Sequence, residues 1–249
     1  MDAILTAGGI PSADEKLYSF TQGGYKAMLD VAGKPMIRWV LDAISASRFI
    51  DRVIVIGLPQ ASDLHCHKPI TMLENRGGLT ENIRAGAAEI LRLNPQAGPA
   101  MLFASDTPAV TGAMVDWMAE VVLASDYDVI YPVIERSVME ARYPGSNRSY
   151  TRFKDKEYCG ADIIGLRPQI ATDDNPLWNK LTVARKSTLR QAALLGYDTL
   201  FLLMLRKLSL EEAEVMISRR LGVRGHVLVC PYAEMGMDVD KPNQLEMMR

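Results

Sequence analysis

The sequence predicts an α/β protein, a three-layer α/β/α sandwich around a mostly parallel, Rossmann-like sheet with a late helical elaboration. Short apolar runs alternate with helical patterns from the start of the chain, which is the rhythm of βαβ units. Ala100 to Ser105 and Asp128 to Ile134 read as buried strands. The first run ends in Gly8-Gly9, which leaves bare backbone at the carboxyl end of a strand, where open α/β sheets bind ligands.

Strand one is Ala3 to Ala7. Pro35 suits the first turn of a helix that places Ile37, Val40, Leu41 and Ile44 on one face. Arg52 to Leu58, rich in Val and Ile, is the second strand, and Ile70 to Leu73 is a short third ending in Glu74-Asn-Arg-Gly-Gly78. The helix after it carries Ile83, Ala87, Ile90 and Leu91 on one side. The strand 100–105 runs into Asp106-Thr107-Pro108, and Thr111 is placed to cap a helix with Met114, Met118, Val121 and Val122 inward. After Ile134 the rhythm breaks. Residues 135–160 are polar, aromatic and basic, as in a lid or hairpin over the strand ends, and 160–166 returns to the sheet. Residues 175–222 read as the helical elaboration, with Ser209-Leu-Glu-Glu212 as a capping box. A last strand, His226 to Cys230, is followed by Asp238-Val-Asp-Lys-Pro-Asn243 and a short helix.

With 249 residues, no internal repeat and no dividing linker, the chain is expected to be one domain, 1–249. A net charge of -2 argues against a dedicated binder of nucleic acid or anionic membrane. The three cysteines, Cys66, Cys159 and Cys230, are far apart and imply no disulfide framework, so a reducing cytoplasm is the expected location. No basic stretch precedes the N-terminal apolar run, so no signal peptide is expected. The apolar run Leu200 to Leu205 is far shorter than the ~20 residues a membrane-spanning helix needs.

Four pieces converge on one edge if the sheet is open and parallel: Gly8-Gly9, Lys26, Asp106 and the pair Asp238/Asp240. Backbone N–H groups and a lysine suit phosphate oxygens, while Mg²⁺ takes one or two carboxylates and fills the rest of its shell with water and phosphate. Individually, each piece also reads as a turn or cap. Together, Leu5-Thr-Ala-Gly-Gly9, Lys26-Ala-Met-Leu29, Gly33-Lys-Pro-Met-Ile37, Asp106-Thr-Pro108 and Asp238-Val-Asp-Lys-Pro242 resemble the motifs of the sugar-phosphate and MobA-like nucleotidyltransferases, in order and over most of the chain.

That resemblance implies an enzyme, with a nucleoside triphosphate and a phosphorylated or hydroxyl small-molecule acceptor as partners and Mg²⁺ as cofactor. By it, Ala7, Gly8, Gly9 and Lys16 contact the nucleotide, Asn75, Gly77 and Gly78 (with Asn82 nearby) read the base, and Lys26 meets the α-phosphate. It also implies that Asp106 with Asp238 or Asp240 holds the metal. Lys16 stands where the family has an arginine, and Tyr25 where it has a proline. The basic segment Arg142 to Lys156 is the expected acceptor side, with Arg152, Lys154, Asp162 and Arg185 as contacts. His65-Cys66-His67 reads as a loop, since adjacent residues seldom converge on one ion. A glycosyltransferase of the same fold is the rival enzyme class, and its Asp-x-Asp element is replaced here by Asp106-Thr-Pro108. The altered loop after Gly9 also keeps open a non-catalytic nucleotide-binding module. The apolar segment 189–221 suits core packing, a pocket wall or the interface of a homodimer.

Overall fold

A computed structural model of the chain describes residues 1–60, 62–171, 202 and 204–249. Most of the expected helical stretch, including Arg185, lies outside the described residues.

In chain order come β1 (Asp2–Thr6), α1 (Tyr18–Thr21), a 3-10 turn at Lys26–Met28, β2 (Asp30–Val31), β3 (Lys34–Pro35) and α2 (Met36–Ala46). There follow β4 (Arg52–Ile56), β5 (Ile70–Leu73), α3 (Leu79–Leu93), β6 (Ala100–Ala104), α4 (Gly112–Leu123) and β7 (Val129–Glu135). The later elements are α5 (Arg136–Arg142), β8 (Thr151–Arg152), β9 (Glu157–Gly160), β10 (Ile163–Leu166), α6 (Leu210–Leu221), β11 (Gly225–Val229) and α7 (Pro242–Met248). Two further 3-10 turns lie at Pro168–Ala171 and Ala233–Gly236.

The main sheet has the order β5-β4-β1-β6-β10-β7-β9-β8, with β11 on the other edge of β7. β5, β4, β1 and β6 are mutually parallel, as expected from the buried apolar runs. β10 then enters antiparallel between β6 and β7. β9 lies along the same edge of β7 as β10 but at the opposite end, against Val133 to Glu135. The sheet is therefore mixed, although among the described strands only β9 and β10 run against the rest. Residues 135–160, where the sequence suggests a lid or hairpin, hold α5 and the β8–β9 hairpin.

Alternation along the strands divides the core. Ala3, Leu5, Val53, Val55, Met101 and Phe103 face α2 and α4, whereas Ile4, Ile54, Ile56 and Leu102 face α3. Sealing a side chain such as Leu5 or Phe103 contributes about 1.5–3 kcal/mol. In α2 the buried residues include Ile37, Val40, Leu41 and Ile44, as the periodicity predicts. In α4 the phase is different: Val115, Met118, Ala119 and Val122 are buried, while Met114 and Val121 are only half-buried. Thr111 occupies the cap position of α4 without a side-chain cap bond. The Ser209 capping box of α6 is formed in both directions. A third cluster, Leu17, Leu29, Val31, Met36, Val239 and Leu245, joins the segment around Lys26 to α7.

Candidate functional site

The turn after β1 lies against the turn after β4. Gly57 has φ of 107°, and a Cβ there would come within 2.4 Å of the Gly8 Cα. Only glycine fits this close crossing of two strand ends. A Cβ on Gly8 would meet Asn75 Nδ2 at 2.9 Å, so the 74–78 loop closes over the same turn. Asn82, on the first turns of α3, is buried and works inside this loop. It accepts from the Arg76 N–H at 2.7 Å and donates to Asn75 Oδ1, which also accepts from the Gly77 N–H. Asn82 therefore shapes the loop.

The predicted backbone cradle is smaller than expected. Ala7 is buried and its N–H donates to Ile56 O at 2.8 Å, continuing the β1–β4 ladder, so it is not available to a ligand. Among the described residues, nothing accepts a hydrogen bond from the N–H groups of Gly8 and Gly9. Gly9 O accepts from the Lys26 N–H at 2.9 Å, which ties the glycine turn to the lysine turn. Lys16 is exposed, and the next residue, Leu17, is buried in the third cluster and fixes this stretch beside the arm.

Lys26 and the acids form one network at the carboxyl ends of β1 and β6. Lys26 Nζ donates to Asp106 Oδ2 at 2.6 Å and also to Asp240 Oδ1. Asp106 lies two residues past the end of β6, and its carbonyl accepts from the Val239 N–H at 3.0 Å, so the backbone itself joins the two acidic segments. Burial opposes the Lys26 charge, but Asp106 and Asp240 outweigh it and hold the ammonium above its ordinary pKa.

Arg148 makes the second half of the network. Its Nη1 donates to Asp238 Oδ1 and its Nη2 to Gly160 O at 3.2 Å, with Asp162 Oδ2 3.9 Å from Nη2. The loop carrying Arg148 is gripped from α7 and its cap: Lys241 Nζ donates to Asn147 O, Asn243 to Gly145 O and Gln244 to Ser146 O. Gln244 also accepts from the Asp240 N–H at 2.8 Å. Burial pushes the Asp238 carboxyl up to about 6 against the pull of Arg148. Asp240 moves the other way: burial would raise it, but Lys26 draws it below its ordinary value. Burial, reinforced by the charges of Asp106 and Asp238, raises Asp162 well above the usual carboxylate range.

The structure thus brings together Gly8, Gly9, Lys26, Asp106, Asp238, Asp240, Asp162 and the 75–78 loop. It does not add Arg152 or Lys154 to them. Arg152 is on the outermost strand, β8, paired with Glu157 at 2.7 Å, and Lys154 is exposed beyond it. Sequence reasoning missed the specific parts of Arg148 and Gln244. A signal was present for the first, an arginine directly after the Pro-Gly-Ser-Asn turn; Gln244 follows Asn243 in the polar start of α7, and only the structure shows it buried. The donor set fits a hard divalent cation, because Asp106 Oδ1 is buried and accepts no hydrogen bond.

Glycine-edged backbone, a lysine and clustered acids at the ends of parallel strands define a class of protein that handles phosphate esters. The chain belongs to the MobA-like NTP transferase domain family, whose match covers residues 4–193, and it is a nucleotidyltransferase of that kind. Among solved structures it is similar to a hypothetical transferase from Thermus thermophilus, with 29% identity, a TM-score of 0.81 and 98% of each chain covered. It shares its fold with CMP:2-keto-3-deoxy-manno-octonic acid synthetase complexed with CTP, at 15% identity and TM-score 0.57 over 98% of this chain and 95% of that one. The same holds for 4-diphosphocytidyl-2C-methyl-D-erythritol synthase, at 10% identity and TM-score 0.56 over 99% and 95%. No curated protein matches the chain. Among the described residues no helix is long and apolar enough to cross a membrane.

Proposed function

We propose that the protein transfers a nucleoside monophosphate from a nucleoside triphosphate to a phosphorylated or hydroxyl small-molecule acceptor, with Mg²⁺ and with release of pyrophosphate. The observation that carries this reading is Lys26 Nζ, bound at once to Asp106 and Asp240 beside the uncommitted N–H groups of Gly8 and Gly9.

In the transfer, an acceptor oxygen forms a bond to the α-phosphorus as the bond to the bridging oxygen of pyrophosphate breaks. Charge builds on the α-phosphate and on the departing pyrophosphate. Positioning and charge stabilisation are sufficient for such chemistry, and no covalent intermediate is needed. Gly8 and Gly9 donate to phosphate oxygens. Lys26, a compact charge on a flexible stem, moves from its carboxylates onto the α-phosphate. Asn75 Nδ2 and the backbone of Gly78 face the base, while the Gly77 N–H and Asn75 Oδ1 hold the loop in shape. Lys16 offers a further point charge to the triphosphate. Asp106 Oδ1 is the carboxylate oxygen left open for the cation. A bound Mg²⁺ would offset the negative charge of the phosphates.

The test is pyrophosphate release with each of the four NTPs against a panel of sugar 1-phosphates and other phosphorylated or hydroxylated acceptors. Turnover with one pair is expected. Mg²⁺-dependent nucleotide binding without turnover on any pair would point instead to a non-catalytic binding module.

A further inference from the structure

The loop that closes over the glycine turn, residues 74–78, is held by two side-chain amides whose orientation is fixed by the backbone. A backbone N–H can only donate, so it decides which end of an amide faces it. The Arg76 N–H meets Asn82 at 2.7 Å, which makes that atom Oδ1 and turns the Asn82 Nδ2 toward Asn75, 3.2 Å away. The Gly77 N–H reaches the same Asn75 atom at 2.9 Å, so that atom is Oδ1 on two independent grounds. Asn82 is only 5% exposed, and its own N–H donates to Gly78 O at 2.9 Å, so the chain of bonds starts from a fixed point on α3.

Both amide oxygens are therefore spent inside the loop, and Asn75 Nδ2 is left on its outer side. Asn75 is exposed, and its Nδ2 stands against the glycine turn. It lies 3.5 Å from Gly8 O, and a Cβ on Gly8 would come within 2.9 Å of it. That bond to Gly8 O is long for an amide and engages one of the two Nδ2 hydrogens. Among the described residues nothing accepts from the other hydrogen or from the Gly78 N–H. Turning the Asn75 amide over would set its oxygen against Gly8 O and leave two donors, the Gly77 N–H and Asn82 Nδ2, facing a third. The polarity is locked.

We propose that Asn75, oriented by Asn82, selects the nucleotide by donating to a carbonyl oxygen of its base. Cytosine, guanine and uracil each carry a ring carbonyl. Adenine has none: its acceptors are ring nitrogens, and its exocyclic group is itself a donor. The substrate is thus a nucleoside triphosphate of C, G or U in preference to ATP, because a donor built into a site is left unpaired when the base lacks the matching acceptor. Asn82 is a positioning residue that does not touch the base. The inference rests on the nucleotidyl-transfer reading for the presence of a nucleotide, and adds which bases that nucleotide carries.

Equilibrium binding of CTP, GTP, UTP and ATP to the full-length protein with Mg²⁺ reads the base, and inorganic triphosphate, which has none, reads the rest of the site. The tightest of the three carbonyl-bearing nucleotides should bind at least about tenfold more tightly than ATP, within what one well-placed base contact supplies. Asn75→Asp exchanges the donor for an acceptor and should abolish that preference; its added charge weakens all four nucleotides alike and cancels from the ratio. Asn75→Ala, which adds no charge, should bring the preference below about threefold, the loss of one hydrogen bond, with inorganic triphosphate still bound. Asn82→Asp keeps an acceptor for the Arg76 N–H but faces Asn75 with an acceptor in place of a donor. It should turn the Asn75 amide over and lower the preference while triphosphate binding is kept, a pattern that collapse of the loop would not give. ATP bound as tightly as the best of the others, or a preference that survives both Asn75 variants, would overturn the inference and leave nucleotidyl transfer standing. The expected base preference with no pyrophosphate release on any pair would sink the transfer reading alone. No binding of any of the four would remove both.

Discussion

Lys26 and Arg148 hold the same kind of partner, facing carboxylates, yet they hold them by different means. Their exposures are nearly equal, 16% and 13% of the side chain. Lys26 touches carboxylate side chains alone, through a point charge at the end of a flexible stem. Arg148 uses a planar guanidinium that also donates to a backbone carbonyl, from a loop gripped at three successive carbonyls by the start of α7. An ammonium can change partners when a phosphate arrives. A guanidinium fixed to Gly160 O and Asp238 holds the frame in which, under the proposed function, that exchange would take place.

The largest effect should come from the fixed side. Arg148→Met leaves Asp238 buried without its partner, and breaking a buried pair in this way costs about 3–5 kcal/mol. Calorimetry should show a large fall in melting temperature, only partly restored by Arg148→Lys, because one ammonium reproduces neither the planar geometry nor both bonds. Rescue to wild type by lysine would erase the distinction drawn here. On the mobile side, Lys26→Ala should lower kcat about 10²–10³-fold, the loss typical of one electrostatic donor at a reacting group. Nucleotide affinity measured by equilibrium binding should fall much less. Equal losses in both would make Lys26 a simple binding residue.

Gln244 bridges the two sides, accepting from the Asp240 N–H and donating to Ser146 O while almost fully buried. Gln244→Ala should cost about 1–3 kcal/mol, from two buried partners left unmet. In a double-mutant cycle its effect should couple to that of Arg148. Additivity would mean that the two halves are independent. A pair away from the site gives the smallest effect. Arg224 donates to Asp128 from both its backbone N–H and its guanidinium, and these bonds hold the Asp128 carboxyl below its ordinary value. Its contribution is therefore present above the unfolded pKa near 3.8 and is lost as pH falls through the folded one. Asp128→Asn should cost about 0.2–1 kcal/mol at neutral pH, and urea titrations should show the gap to wild type closing in acid.

How much of this was legible differs by region for physical reasons. β1, β4, β5 and β6 were readable because strands covered on both faces must be apolar runs, and their carboxyl ends placed Gly8, Lys26 and Asp106 together. The loss of the Ala7 N–H was not readable, because it depends on the register of β4, and a turn residue carries no trace of its neighbour's ladder. The α4 face was misjudged since Met114, Val115, Met118, Ala119, Val121 and Val122 are apolar nearly all round and leave the phase open. Arg148 looked like one of several basic residues until Asp238, 90 positions later, defined which of them is buried. The antiparallel entry of β10 was equally hidden. The run 160–166 marks a strand but says nothing of its direction.

The third apolar cluster has a consequence for how the molecule comes together. It joins Leu17, Leu29, Val31 and Met36 to Val239 and Leu245, and the ion pair beside it spans 214 positions. Loop closure over such a span is among the slow events of folding. On a ribosome, the sheet from β1 to β6 can pair long before residues 238–245 leave the exit tunnel. Lys26 must therefore wait for residues 238–245, and its pairing with Asp240 forms only after synthesis has passed that point.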